Sequence, residues 1–140
     1  MEKWILFAII SMLFAGLTST IAKLGLVGIS GELGLAVRTV FVFGFVGIFT
    51  WMFVSVDEIK ALNKTNLIFL SLSALTTSLS WIFYYKALKL GEVSTISIID
   101  KGSFVVAVIL GILIFKEQLT WRLLLGALLI SAGLIVVAKK

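Results

Sequence analysis

The sequence predicts an all-α membrane protein, built as a bundle of five transmembrane helices. Hydrophobic residues make up 61% of the 140 residues, against roughly 45–50% in soluble domains, and the mean hydropathy is +1.20. These residues form five apolar runs of about 20 residues, the length that crosses a hydrocarbon layer about 30 Å thick. A soluble core of this size would not hide so much apolar surface, so the expected solvent is lipid.

The composition argues against an enzyme. The chain contains no histidine and no cysteine, which removes imidazole acid–base chemistry, thiol nucleophiles, thiolate metal sites and disulfides. We therefore expect no metal, no cofactor and no catalytic centre. The net charge is +5, but the basic residues lie scattered between apolar runs, as is typical of membrane flanks and not of a nucleic-acid-binding face.

The first predicted span covers residues 4–23. Its apolar run is longer than that of a signal peptide, and four more hydrophobic segments follow, so we expect it to be retained. Ser11, Ala15 and Ser19 recur every fourth residue, which places small side chains on one face for close helix packing. Lys23 continues that face.

Glycine and serine between residues 25 and 31 predict a turn. The second span follows over residues 33–56, and it carries Arg38 several residues inside its start. The polar residues 57–66 predict a loop with a short interfacial helix.

The third span, residues 67–88, is rich in serine and threonine, whose hydroxyl groups bond their own helix backbone or bridge to neighbours. It ends with Trp81, Tyr84 and Tyr85, of which the first and last share a helix face. Two interpretations stay open. These rings form either an aromatic belt at the lipid headgroups or a stacking surface for an organic substrate.

The fourth span, residues 93–115, contains Asp100 and Lys101 inside an otherwise apolar run. Asp100 is expected roughly 10 Å inside the helix end, where an ionisable side chain costs on the order of 3 kcal/mol. Ser97, Asp100 and Ser103 follow helical spacing and form a polar stripe. Such groups usually face a protein interior or an aqueous cavity, which makes this pair the first functional candidate.

The fifth span covers residues 120–138. Thr120 is a predicted N-cap, and Gly126 and Gly133 predict another close helix contact.

With five spans, the lysines and arginines outside the spans divide equally between the two sides of the membrane. A balanced count specifies orientation weakly, so we expect dual topology. Two oppositely inserted copies would reproduce the inverted repeats of many transporters, which predicts an antiparallel homodimer or pairing with a paralogous half. One side holds Lys3, Lys60, Lys64, Lys116 and Arg122, and the other holds Lys23, Lys86, Lys89, Lys139 and Lys140.

The charged candidates inside the predicted spans or at their ends are Lys23, Arg38, Asp100 and Lys101. All four are expected toward the same side of the membrane, so Asp100 is predicted to pair with Arg38, Lys23 or Lys101. A buried ion pair that fixes helix packing is one interpretation. In the other, Asp100 lies in a water-accessible cavity and exchanges a proton or binds a cationic substrate group. Because cations outnumber the acid, an anionic substrate is a further alternative.

The segment KALKLGEVSTISIIDKGSFVVAVILGILIFKEQLTWRLLLGALLISAGLIVV resembles the second half of an EamA-type domain of the drug/metabolite transporter superfamily. The features that carry the resemblance are Tyr84-Tyr85 followed by Ala87-Leu88 and Gly91, Lys116-Glu117 before Leu119-Thr120, and Gly126-Ala127 to Gly133. Ala22-Lys23 and Arg38 also fit. Short bacterial and archaeal members often have Pro-Ile-Asp-Lys where this chain has Ile98-Ile99-Asp100-Lys101. Glu117 is expected to be a loop and cap residue.

This resemblance covers nearly the whole chain and implies one EamA-like domain over residues 1–140, equivalent to one inverted half of ten-span relatives. It also implies transport of a small organic solute by alternating access in a prokaryotic cytoplasmic membrane, with protons as the candidate coupling ion. The alternative is a non-transport scaffold or an accessory subunit of a larger complex. The predicted substrate or proton pathway comprises Asp100, Lys101, Arg38, Lys23, Trp81, Tyr84, Tyr85, Ser97 and Ser103.

Overall fold

The computed structural model describes residues 3–138, and the regular structure of these residues is helical throughout. Seven helices follow one another along this part of the chain. They are α1 (Lys3–Gly25), α2 (Gly31–Phe53), α3 (Val56–Lys60), α4 (Lys64–Leu90), α5 (Val93–Asp100), α6 (Ser103–Phe115) and α7 (Trp121–Ala138).

Five segments of the described chain are long and apolar enough to cross a membrane. They are α1, α2, α4, the combined segment Val93–Phe115 and α7, with 18 to 27 residues each. At 1.5 Å per residue, these lengths match a hydrocarbon layer about 30 Å thick. The predicted all-α class with five spanning helices is therefore confirmed.

Side-chain caps fix where several helices begin. The Ser30 hydroxyl accepts a hydrogen bond from the Leu33 amide before α2, and the Thr120 hydroxyl accepts one from Leu123 at 3.2 Å before α7. Each cap satisfies an amide that has no partner inside its helix. The predicted N-cap at Thr120 is confirmed.

The connection between the second and third spans begins earlier and ends earlier than the sequence predicted. Helix α2 ends at Phe53 because Val54 is extended and Ser55 caps the short helix α3, where it bonds both the amide and the carboxylate of Glu58. This short helix agrees with the predicted interfacial one. Asn63 then accepts from the Asn66 amide, so α4 begins inside the stretch predicted to be a loop.

The fourth span is interrupted between α5 and α6. The amide of Gly102 bonds the carbonyl of Ile99 at 2.9 Å, and Phe104 and Val105 repeat this three-residue spacing. Such bonds tighten the helix to a 3₁₀ turn. A Cβ atom at Gly102 would lie 3.0 Å from the Ile99 carbonyl oxygen. Glycine therefore permits the tight turn, and no proline is needed.

The described chain divides into two compact units. One comprises the residues up to Thr20 together with those from Gly91 onward, and the other runs from Ile21 to Leu90. In the first unit α5 packs against α7. The left-handed Lys116 turns the chain after α6 and brings the Glu117 carboxylate over Gly111, where a Cβ atom would lie 2.9 Å from Oε2.

In the unit from Ile21 to Leu90, α2 packs antiparallel against α4. The buried hydrophobic residues of the described chain all gather at one end of this pair, where α2 begins and α4 ends. They are Leu26, Leu35, Tyr85 and Leu88. Residues 64–80 of α4 are exposed throughout, and residues 40–53 of α2 nearly so.

The hydroxyl groups of α4 bond the backbone of their own helix. Thr76 and Thr77 donate to the Ser73 carbonyl at 2.9 and 2.8 Å, and Ser78 donates to the Ala74 carbonyl at 2.8 Å. These bonds satisfy polar groups on an exposed face without a partner helix, which is how such residues are tolerated in apolar surroundings. The first of the two predicted hydroxyl roles is confirmed for these three residues.

Candidate functional site

The Arg38 guanidinium lies against two aromatic rings of α4. Its Cζ atom is 4.4 Å from the centre of the Trp81 ring and 5.9 Å from the centre of the Tyr85 ring. Both distances lie within the range of cation–π attraction. The structure thus joins three residues that the sequence nominated separately, from two helices more than forty positions apart. We call these three residues the arginine–aromatic cluster.

One nitrogen of this guanidinium is buried without a partner. Arg38 Nη1 has no hydrogen-bond partner among the described residues. Ring contacts attract the cation, but they do not accept its N–H groups in ordinary hydrogen bonds. The Nη1 donor is therefore left without an acceptor in the described part of the chain.

Gly31 allows α2 and α4 to approach closely enough to form the cluster. A Cβ atom at Gly31 would lie 2.7 Å from the Tyr85 carbonyl oxygen, closer than real side chains come. The backbone of α2 therefore lies directly against the backbone of α4 at this point. Arg38 follows two helical turns later, and Trp81 precedes Tyr85 by about one turn, so the approach at Gly31 sets their separation.

Two lysines connect the ends of α1 and α4 by hydrogen bonds. Lys23 near the end of α1 donates to the Leu88 carbonyl, and Lys89 near the end of α4 donates to the Leu26 carbonyl at 3.0 Å. The last carbonyls of a helix have no partner inside it and carry negative partial charge. Each ammonium group therefore satisfies a carbonyl at the end of the other segment, which gives Lys23 a structural role.

The hydrogen bonds of Lys23 and Lys89 also determine which turns lie together. The turn after α1 and the turn after α4 meet at one end of the unit from Ile21 to Leu90, where the Lys86 ammonium also pairs with the Glu32 carboxylate at 3.4 Å. Both partners of this pair are about half exposed, so solvent screens their attraction and the pair contributes little to stability. The placement agrees with the side of the membrane to which the span count assigned these two turns.

Asp100 lies at the break in the fourth span. Its carboxylate is 3.9 Å from the Lys101 ammonium, and its side chain is 39% exposed. The sequence proposed three cations as partners of Asp100, and Lys101 is the one that forms an ion pair with it in the structure. Because Asp100 ends α5 and the 3₁₀ turn follows at once, the carboxylate lies where the helix is irregular, as intramembrane carrier sites often are.

The other nominated pathway residues lie around these two groups. Tyr84 is half-buried, with its ring 6.4 Å from the ring of Tyr85. Ser97 is half-buried on α5, and Ser103 is exposed at the first position of α6. The candidate residues therefore divide between the two units, with Lys23, Arg38, Trp81, Tyr84 and Tyr85 in one and Ser97, Asp100, Lys101 and Ser103 in the other.

The residues nominated for helix packing differ in their surroundings. Ala15 and Ser19 are half-buried, and the Ser19 hydroxyl donates to the Ala15 carbonyl at 3.2 Å. Ser11 is exposed. A Cβ atom at Gly126 or Gly133 would meet no neighbour within 4 Å, so their role in close helix contact stays a prediction.

An open groove of about 480 Å³ runs along α2 and begins next to Arg38 in the sequence. Its lining is mostly apolar: Thr39, Val42, Phe43, Val46, Gly47 and Thr50. Within residues 3–138 no group of three acidic side chains is placed to hold a metal ion. The polar chemistry of the described residues is therefore that of ammonium, guanidinium, hydroxyl and single carboxylate groups.

Several residues of this arrangement were missed by sequence reasoning. Gly31 appeared there only as part of a turn, and Lys89 only as a flanking charge. A glycine just after a serine N-cap was the available signal for a close approach, but it did not identify Tyr85 as the partner. The exchanged lysines had no signal, since their acceptors are backbone carbonyls 63 and 65 residues away.

Comparison with known proteins gives one family match and one named relative. The EamA-like transporter family matches residues 2–139. A protein of Sinorhizobium sp., named an uncharacterized transporter in the cobO 3' region, is 31% identical over 137 residues, which is 98% of this chain and 97% of that protein. No solved structure gives a significant match. The family implies a lipid environment and a small-molecule substrate, and this chain, an integral membrane protein, belongs to the EamA-like transporter family.

Proposed function

We propose that the protein is a secondary transporter of small organic solutes in a prokaryotic cytoplasmic membrane. One observation carries the proposal: Arg38 lies about 10 Å along a spanning helix with a buried nitrogen that has no partner among the described residues. A charged side chain inside a span costs about 2.5–3.5 kcal/mol on insertion scales. Charged groups that carry this cost usually face the protein interior or a water-filled cavity on a substrate pathway. We therefore infer that water or a passing solute reaches Arg38.

The transport unit in this proposal is an antiparallel homodimer that works by alternating access. Support comes from glycines of the spanning helices where an added Cβ atom would have no neighbour among the described residues. A Cβ atom would meet nothing within 4 Å at Gly16, Gly44, Gly47, Gly126 or Gly133. Small residues concentrate where membrane helices contact each other, so a second copy would give these faces a partner.

The direct test is solute flux in liposomes that contain the purified protein. A panel of amino acids, organic acids, nucleosides and amines is offered to loaded vesicles, with and without a pH gradient. We expect saturable uptake of at least one organic solute above the level of protein-free vesicles. Uptake of none, while a known transporter works in the same preparation, would contradict transport and favour the scaffold alternative.

Dual topology is tested with reporters fused to the C-terminus. We expect a cytoplasm-active and an externally active reporter to give signals together, because the flanking charges are balanced. Lys60→Gln with Lys64→Gln should shift the population in one direction, and Lys139→Gln with Lys140→Gln should shift it in the other. Signal from one reporter only, unchanged by both pairs of substitutions, would exclude insertion in two orientations.

A further inference from the structure

We propose that Arg38 binds the anionic group of the transported solute, and that the solute is a small organic carboxylate. This inference rests on the proposed transport function and narrows it to one substrate class. The ring contacts of the guanidinium, the charges around it and its unpartnered Nη1 atom support this substrate class.

The rings of Trp81 and Tyr85 hold the guanidinium within the membrane span. Tyr85 lies beside Gly31 at the packed end of the helix pair, and Trp81 lies about one turn deeper. The Cζ atom is 4.4 Å from the centre of the Trp81 ring and 5.9 Å from that of the Tyr85 ring. Both rings belong to the spanning helix α4, so the charge is held inside the span at their level.

The neighbouring cations at this end already have acceptors. Lys23 and Lys89 donate to backbone carbonyls, and Lys86 pairs with Glu32. With Arg38, the part of this end that belongs to residues 21–90 holds four cations and one carboxylate, and the carboxylate already pairs with Lys86. Low-dielectric walls strengthen such a field, so an entering anion is favoured over an entering cation.

The two rings contact the guanidinium but do not satisfy the donors at its edge. That edge carries five N–H donors in a planar fork, which matches the two oxygens of a carboxylate. The buried and unpartnered Nη1 is one of these donors. A carboxylate bound there would satisfy it, and an aromatic or apolar body on the solute would contact the rings of Trp81 and Tyr84. A lipid phosphate shares the anionic chemistry, so the test separates the two sources.

Binding is measured through the fluorescence of Trp81. Replacing the other three tryptophans by phenylalanine, at Trp4, Trp51 and Trp121, leaves Trp81 as the only indole. The probes are acetate and benzoate, each compared with its uncharged amide, in a neutral detergent. We expect a saturable change with a carboxylate and none with its amide.

Two arginines allow a matched control, because Arg122 is exposed in the first turn of α7. We expect Arg38→Lys to weaken carboxylate binding about tenfold or more, the fold-change of one lost charge-assisted hydrogen bond. Arg38→Gln should also remove the preference for carboxylate over amide. Arg122→Lys and Arg122→Gln should change neither, and thermal melting confirms that each variant is folded.

Three results of the binding experiment would overturn the inference. The first is equal binding of carboxylates and amides, and the second is unchanged binding in the folded Arg38 variants. The third is a Trp81 response to phosphatidylglycerol but to no soluble carboxylate, which would identify a lipid headgroup. Flux of uncharged solutes that Arg38→Gln leaves intact would overturn this inference and leave transport standing. Carboxylate binding at Arg38 without flux of any solute would instead contradict the proposed transport.

Discussion

Gly31→Ala is expected to lower the thermal stability of the purified protein and to reduce its solute flux. The new Cβ atom would lie 2.7 Å from the Tyr85 carbonyl oxygen and 3.0 Å from the carbonyl carbon. These are backbone atoms, so α2 has to move away from α4. Overpacking of this kind costs about 1–3 kcal/mol, and the same movement carries Arg38 away from the Trp81 ring.

A glycine outside the proposed dimer contacts provides the control for this substitution. A Cβ atom at Gly25, the last residue of α1, would meet nothing within 4 Å among the described residues, so alanine there should leave the melting temperature unchanged or raise it, because alanine is the better helix former. The readout is the melting temperature in detergent, followed by flux in liposomes. Equal stability of Gly31→Ala and Gly25→Ala would contradict the close approach at Gly31.

Asp100→Asn is expected to abolish accumulation driven by a pH gradient. The proposal behind this prediction is that the carboxylate takes up and releases the coupling proton where α5 gives way to the 3₁₀ turn. Asparagine has the same shape but carries no proton that titrates. We expect the variant to insert and melt like the parent, while its response to an imposed pH gradient falls to that of protein-free liposomes.

Asp57→Asn is the matched control for this carboxylate. Asp57 lies in the short helix α3, outside the spanning segments, and is exposed. Its replacement should leave the response to the gradient intact. A full response in Asp100→Asn would exclude Asp100 as the coupling group and leave its pairing with Lys101 as a packing contact.

Part of the candidate site was predictable because it depends on neighbours in the sequence. Asp100 and Lys101 are adjacent, so their ion pair follows from the chain itself. The position of the helix break did not follow. The relatives' proline is absent here, and the tight turn at Gly102 depends on the space around the Ile99 carbonyl.

The arginine–aromatic cluster shows where sequence reasoning stops. The spacing of Trp81 and Tyr85 indicated a shared face, but a headgroup belt and a stacking surface both fit that pattern. In the structure, Trp81 and Tyr85 contact Arg38 on another helix, a contact that an aromatic belt at the headgroups does not require. The two helices carry no mark that pairs them, apart from a glycine whose partner is a backbone carbonyl.

The sequence by itself determined the lipid environment, the five spans and the residue that caps α7, because these depend on apolar length and on local hydrogen bonds. Only the tertiary structure decided that Arg38 contacts Trp81 and that Gly31 sets the helix separation. The same holds for the hydrogen bonds that Lys23 and Lys89 donate to distant backbone carbonyls. The physical reason is that lipid is as apolar as a protein core. The lipid-facing and protein-facing sides of a spanning helix therefore look alike in sequence, and periodicity does not reveal which faces pack together.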